Sequence, residues 1–450
     1  MKTFFALAVA FLPLALNAEP LPTVDAAAAK TRIEAVVNQA YPELDALYKQ
    51  IHRHPELPFQ EFKTAKLLAS KMKQLGYEVT EQVGTTGVVA IYRNGAGPVV
   101  MVRTELDALP VEEKTGLPFA SREQQIVDGK PTFVAHACGH DVHMAWWFAT
   151  AKALIAMKDQ WRGTLMFVAQ PAEENLSGAK AMLADGLFAR FPKPDFGFAA
   201  HVGGGIPLGT VFIKDGVALS AADAIDIVFN GRGAHGSAPS SAIDPIVMGS
   251  QFVTNVQTVI SRRKDAGTFG VITVGAFQSG TVGNVIPDRA ELKLSVRSFE
   301  PDVRELLLNG VERTANSVAA MAGAPAPTIT HQYGAAATRN DSGLVARTAE
   351  LMRPIFGDGL IVAPASAPGM SGSEDFSEFA AAGMRSLYFM IGGDDPAKLA
   401  DYKTRNIAIP INHSPQFAPA HEAAIRNGAT VLALAVLMVT PVQPEPGQNR

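Results

Sequence analysis

Cysteine is nearly absent. The 450-residue sequence has one, Cys138, and therefore no internal disulfide. A basic excess is absent too: 39 Lys and Arg against 43 Asp and Glu leave a formal charge of −4, without the footprint of nucleic-acid binding or of attachment to anionic lipid. The glycines from Gly84 to Gly97 do not form a Gly-x-Gly-x-x-Gly turn, which excludes a nicotinamide-dependent dehydrogenase. Charged residues are sparse, at 18%. What remains is a well-packed globular chain, long enough that two domains are expected.

The chain begins with Lys2, an almost wholly apolar run from Phe4 to Leu16, and the small-residue site Asn17-Ala18 before Glu19-Pro20. These are the parts of a secretory signal peptide, residues 1–18, cleaved after Ala18, which implies the periplasm or medium of a bacterium and no membrane attachment afterwards. An uncleaved anchor is the alternative, and the run is short for a span. An exported thiol without a disulfide partner is either buried or protected by a metal.

That thiol lies in His136-Ala-Cys-Gly-His-Asp-Val-His143, which gathers three of the ten histidines beside an aspartate. Thiolate and imidazole are ligands for Zn²⁺, Mn²⁺, Co²⁺ or Ni²⁺. On an extended segment, Cys138 and His140 would face the same side. The following Met144-Ala-Trp-Trp-Phe-Ala-Thr-Ala-Lys-Ala-Leu-Ile reads as a helix with His143 in its first turn. On these residues alone a satisfied buried histidine cluster is an equal reading.

Apolar periodicity gives a helix from about Ala26, a turn at His54-Pro55-Glu56-Leu57-Pro58, and a second helix from Glu61 to Leu75 stopped by Gly76. Val88–Tyr92 and Val99–Val102 read as a hairpin whose second strand ends in Glu105 and Asp107; acids at a strand tip bind or orient something, or cap a solvated turn. Gly163–Ala169 reads as a buried parallel strand ending at Gln170-Pro-Ala-Glu173-Glu174, and Asp195–Val202 as a strand delivering His201 at its end. Three strands thus end in polar groups, as an α/β site requires. From residue 216 to 330 the rhythm changes to strand, helix, strand, strand, helix, an α+β unit inserted between catalytic parts 19–215 and 331–440. The helix Ala420–Val439 is apolar all round and reads as a buried core helix, and 441–450 as a disordered tail.

The ordered landmarks are His54-Pro-Glu56, Arg103 to Pro110, His136 to His143, Gln170 to Glu174, His201-Val202, Gly233-Ala-His235 with Pro239, Asn284-Val-Ile-Pro-Asp288, Gly372-Ser-Glu-Asp-Phe376 and His413-Ser-Pro with Phe417. In this series the chain resembles the M20 metallopeptidases, in the amidohydrolase branch of hippurate hydrolases, indole-acetyl-amino-acid hydrolases and N-acetyl-diaminopimelate deacetylase. The resemblance implies an α/β, metal-dependent exopeptidase-like catalytic domain with an inserted α+β lid and dimerisation domain. It implies metal ligands Cys138, His140, Glu174, His201 and His413, hence two divalent ions bridged by Cys138, with Zn²⁺ the first choice and Mn²⁺, Co²⁺ or Ni²⁺ possible. Glu173 corresponds to the catalytic carboxylate, and His235 and Asn284 to groups that reach over the substrate, sometimes from the partner subunit of a homodimer. The sequence departs from the family at Glu105, where aspartate is usual, and at His421-Glu422, where Asp-Glu is usual.

Amide hydrolysis needs an activated water, a polarised carbonyl and a proton for the leaving amine. Glu173 would move that proton, His235 would stabilise the tetrahedral oxygen, and Asp107 would hold a ligand imidazole by its other nitrogen, a strand-end hydrogen bond being the alternative for Asp107. The expected substrate is a small N-acylated amino acid or short peptide with a free α-carboxylate. The alternatives are an M20 exopeptidase acting on di- or tripeptides and a non-catalytic metal-containing binder.

Overall fold

A computed structural model describes residues 24–127 and 129–442. The leader and the last eight residues, where the signal peptide and most of the tail were expected, lie outside the described residues. In chain order the principal elements are α1 (Ala26–Arg53), α2 (Phe62–Gln74), β1 (Glu78–Val83), β2 (Gly87–Asn94), β3 (Val99–Glu105), α3 (His140–Ala156), β4 (Gly163–Gln170), α4 (Gly178–Ala184), β5 (Phe196–Pro207) and β6 (Val211–Lys214). The insert follows, with β7 (Ala221–Asn230), α5 (Pro245–Arg262), β8 (Gly270–Ser279), β9 (Arg289–Ser298), α6 (Pro301–Met321) and β10 (Thr328–Ala335). The chain then completes the first domain with α7 (Ser342–Phe356), β11 (Leu360–Ala363), β12 (Arg385–Asp394) and α8 (His421–Val439).

The catalytic sheet has eight strands in the order β1-β2-β4-β3-β5-β12-β6-β11. Its central strands read as largely apolar runs because both faces are covered. Val88, Ala90, Val100, Val102, Leu165 and Phe167 pack toward α1, α3 and α8, while Val89, Ile91, Met101, Met166 and Val168 pack on the opposite face. Each such buried Val, Leu, Ile, Phe or Met side chain contributes roughly 1.5–3 kcal/mol. α8 has the length and composition of a membrane span, yet 78% of that window is buried, as expected for a core helix.

The expected hairpin between Val88–Tyr92 and Val99–Val102 does not form. β4 lies between those strands, antiparallel to β2 and parallel to β3. β2 instead forms its hairpin with β1, whose Glu-Val-Thr-Glu-Gln-Val carries little apolar signal. The parallel strands β4, β3 and β5 end at one edge: Glu105 pairs with Gln170, and the register of Arg103 with Ala199 places His201 level with both. β5 runs on to Pro207, so His201 sits inside the strand and not at its end.

The insert is a four-stranded antiparallel sheet, β8-β9-β7-β10, with α5 and α6 on one face. Its last strand runs to Ala335, past the exit expected at residue 330. The linkers on either side pair as a short ribbon, Gly216–Leu219 against Thr338–Asn340. Along β9, Leu292, Leu294 and Val296 point into the helices, so Ser295 and Arg297 face the other way, toward the catalytic domain.

Candidate metal centre

The five expected ligands are placed by four separate pieces of backbone. Cys138 and His140 do not lie on an extended segment: a turn through Gly139, with φ +92° and no room for a side chain beside Val202, swings His140 into the first position of α3. Glu173 and Glu174 ride the turn after β4, and His201 is carried by β5. His413 has φ +70° in the loop before α8. Asn412 fixes that loop against the others, its Nδ2 donating to Cys138 O at 2.9 Å and Val202 O at 3.0 Å while its Oδ1 accepts from Gly204 N at 2.9 Å.

The side chains converge as two triads. The ligand atoms of Cys138, His140 and His201 lie within 4.8 Å of one another, and so do those of Cys138, Glu174 and His413. Cys138 belongs to both. Its sulfur is 3.3 Å from His201 Nε2, and Glu174 spans 3.4 Å to His413 Nε2 and 3.9 Å to His140 Nε2. Glu173 Oε2 approaches His140 Nε2 at 3.6 Å.

The donor set fits cations. His140 Nδ1 donates to Asp107 O at 2.8 Å and His201 Nδ1 donates to Val202 O at 2.9 Å, which leaves both Nε2 lone pairs aimed into the cluster. His140 Nε2, Glu174 Oε1 and Asp107 Oδ1 are buried with no hydrogen-bond partner among the described residues. Leaving such atoms orphaned costs about 1–3 kcal/mol each. Burial, reinforced by neighbouring carboxylates, raises the Cys138 thiol and the Glu173 carboxyl well above their ordinary ranges. Burial raises Glu174 to about 7 and lowers His201 to about 3, whereas at His140 burial is outweighed by Asp107, Glu105 and Glu174 and the imidazole rises to about 10. A thiol and several acids that would otherwise have to hold protons are the chemistry of a site that a divalent ion discharges. The clusters form two potential divalent-metal sites, consistent with a dinuclear centre.

Asp107 differs in detail from expectation. Its backbone oxygen makes the bond to His140, while its carboxylate stands 3.5 Å from the ring and accepts from Glu174 N at 2.9 Å. His143 is pinned away from the triads, with Nδ1 on Glu105 at 2.9 Å and Nε2 accepting from Val202 N at 2.9 Å.

Behind Glu173 lies a buried network that motif reading did not resolve. Arg103, fully buried on β3, bonds Glu105, Glu374 Oε1 at 2.6 Å and Gln170 Oε1 at 2.9 Å. Tyr388 donates to Glu374 Oε2 at 2.8 Å. The signal was present as an arginine inside an apolar strand, which only buried acids can accommodate.

A cavity of about 750 Å³ opens over the cluster, floored by Cys138, Glu173, Glu174, His201 and His413 and roofed by the insert through Val271, Ser295, Arg297 and Tyr333. Arg297 also donates to Ser373 Oγ. His235 and Asn284 do not line it. They lie side by side on an exposed ribbon of the insert, where His235 pairs with Val285 and Gly236 N bonds Asn284 O.

Residues 101–437 match the family described as peptidase family M20/M25/M40. The chain belongs to peptidase family M20/M25/M40. This M20 protein is 37% identical over 320 residues to the hippurate hydrolase of Campylobacter jejuni, covering 70% of this chain and 80% of that one. It is 33% identical over 395 residues to thermostable carboxypeptidase 2 of Saccharolobus solfataricus, covering 86% and 93%. Its fold matches a Bacillus subtilis dinuclear metal binding peptidase of the M20 family with a TM-score of 0.68 at 28% identity, over 90% of this chain and 99% of that one. The M20 assignment and the paired clusters make it a metal-dependent hydrolase of amide or peptide bonds.

Proposed function

We propose that the protein hydrolyses the amide bond of small N-acyl amino acids to a carboxylic acid and a free amino acid. The observation that carries this reading is the charge on the cavity walls. Among the described lining residues Arg297 is the one Lys or Arg, and the acids are Glu173 and Glu174 at the metal cluster and Glu374, already held by Arg103 and Tyr388. A substrate with one carboxylate and a neutral acyl end fits this distribution. An unblocked dipeptide would bring an ammonium group, and the lining acids outside the two triads are Glu173, which has the proton-transfer role, and Glu374, which is already paired. The kinship to a hippurate hydrolase supports the same reading, and that to a carboxypeptidase supports the exopeptidase alternative.

In this proposal Cys138, His140 and His201 would hold one ion and Cys138, Glu174 and His413 the other, with zinc favoured by the thiolate. When bound, such ions acidify water and polarise a carbonyl. Glu173 lies beside the cluster but belongs to neither triad, so its carboxylate is placed to take the proton of the attacking water and return it to the amine nitrogen. Arg297 orients the α-carboxylate, and Asp107 holds the backbone of Glu174. The proposed assembly is a homodimer through the insert, supported by the edge strand β8 and by exposed Ile246, Val247, Phe277, Val282 and Val285 near it. His235 and Asn284 would then serve the partner's cavity, His235 as a donor to the tetrahedral oxygen. Export with cleavage after Ala18 is proposed from the leader composition.

The test is metal content per chain, measured beside amine release from N-acetyl, N-benzoyl and long-chain N-acyl amino acids and from unblocked dipeptides. About two metals with release from acylated substrates is the expected result. Turnover of unblocked dipeptides alone would replace this reading with the exopeptidase.

A further inference from the structure

Glu61 stands at the start of α2 yet does not cap it. Glu56 does that, its carboxylate accepting from Lys63 N at 3.0 Å, Thr64 N at 2.8 Å and Thr64 Oγ1 at 2.9 Å. Glu61 turns inward and is 0% exposed. Its Oε1 accepts from Ala172 N at 2.8 Å and its Oε2 from Thr86 Oγ1 at 2.6 Å.

Ala172 begins the turn that presents Glu173 and Glu174. It has φ +50°, and Leu176 at the far side has φ +53°, both in the left-handed region that side chains with a Cβ disfavour. Such a turn persists only where its surroundings over-determine it. Within the turn, Ser177 N and Gly178 N donate to Ala172 O at 3.2 and 3.1 Å, and a Cβ on Gly178 would lie 1.5 Å from Pro171 O. From outside, two carboxylates bracket Glu173: Glu61 holds the N–H of the residue before it, and Asp107 holds the N–H of the residue after it at 2.9 Å. The Asp107 carboxylate also stands 3.5 Å from His140 and holds the amide of Glu174, so its loss would disturb candidate ligands directly. Glu61 bonds none of them.

We infer that Glu61 is a positioning residue for Glu173, holding through the Ala172 amide the strained turn that aims the proton-transferring carboxylate. The inference rests on the hydrolase reading of Glu173. A glutamine at position 61 can keep both contacts, its oxygen on Ala172 N and its amide donating to Thr86 Oγ1. Burial, with repulsion from Asp107, lifts the Glu61 carboxyl to about 7, so glutamine also resembles the protonated acid.

The experiment compares Glu61→Ala and Glu61→Gln in the metal-loaded full chain, using the acylated substrate that the wild type turns over best. Two readouts are taken: steady-state kinetics, and amide hydrogen exchange over residues 171–178, which needs no substrate. Glu61→Ala should lose on the order of 100-fold in kcat, the scale of a small misplacement of a catalytic group. KM should stay within threefold, metal content should match the wild type, and exchange should quicken in that segment. Glu61→Gln should keep kcat within threefold and exchange as in the wild type. Wild-type kcat and exchange in Glu61→Ala, or equal damage in both variants, overturns the assignment. If the wild type turns over no substrate, the hydrolase reading fails separately and the exchange comparison still decides whether Glu61 holds the turn. Should Glu61→Ala not fold, Thr86→Val frees one carboxylate oxygen without touching the turn. It must then lower kcat at least threefold at unchanged KM, and a wild-type kcat there also overturns the assignment.

Discussion

Replacing Arg297 by methionine removes a guanidinium from the cavity roof while keeping a side chain of similar reach. Arg297 faces the cluster from β9 and is oriented by Ser373. A hydrogen bond to a charged group contributes about 1.5–3 kcal/mol net. At about 1.4 kcal/mol per tenfold, the loss in kcat/KM should be roughly 10- to 150-fold. The α-carboxylate does not change during hydrolysis, so the clamp holds ground state and transition state alike and the loss should appear in KM, with kcat nearly unmoved. The assay is a cycle of two enzymes and two substrates, the second being the α-carboxamide of the first. The wild type should lose the same factor on the carboxamide, and Arg297→Met should lose little more. A variant that penalises acid and carboxamide equally, or leaves KM within threefold of wild type, would refute the clamp.

Glu173→Gln should keep both metals and lose about 100- to 10,000-fold in kcat, read by single-turnover amine release alongside metal analysis. Cys138→Ala should weaken both sites at once, because the sulfur belongs to both triads; titration with Zn²⁺ would then show no tight site left, and one surviving tight site would disprove the shared ligand. His52 lies between Asp141 at 2.6 Å and Glu113 at 3.1 Å; burial opposes its charge, but the two acids prevail and raise it to about 9. A folded pKa above the unfolded 6.5 means this stabilisation, on the order of 3 kcal/mol, is complete below pH 6.5 and is lost as pH rises toward 9. His52→Gln should therefore melt lower than wild type at pH 6 and approach it at pH 9.5 in thermal scans, and a gap constant with pH would count against the ion pair.

Much of the site was legible because strand ends announce themselves. The runs ending at Glu105, Gln170 and near His201 stop or change where polar groups appear, and parallel pairing then brings those groups to one edge. Strand order was not legible: β2 and β3 are separated in sequence by a few residues, yet β4, which follows much later, enters between them. The turn at Cys138 could have been read from Gly139, since a glycine between two ligands signals a backbone that a side chain would obstruct. Arg103 carried a signal as a lone cation in an apolar strand. Glu61 carried none, because nothing in the spacing joins the start of one helix to the amide of a distant turn.

The linker ribbon and the placement of β12 together set an order of assembly. The insert begins and ends at neighbouring points, so its four strands and two helices can close while the rest of the chain is still being made. The catalytic sheet cannot, because β12, which separates β5 from β6, and the loop bearing His413 come near the end of the polypeptide. A partly made chain owns Cys138, His140, Glu174 and His201 but only one complete triad. Both triads are therefore complete only when the loop bearing His413 has joined the segments that carry the other four ligands.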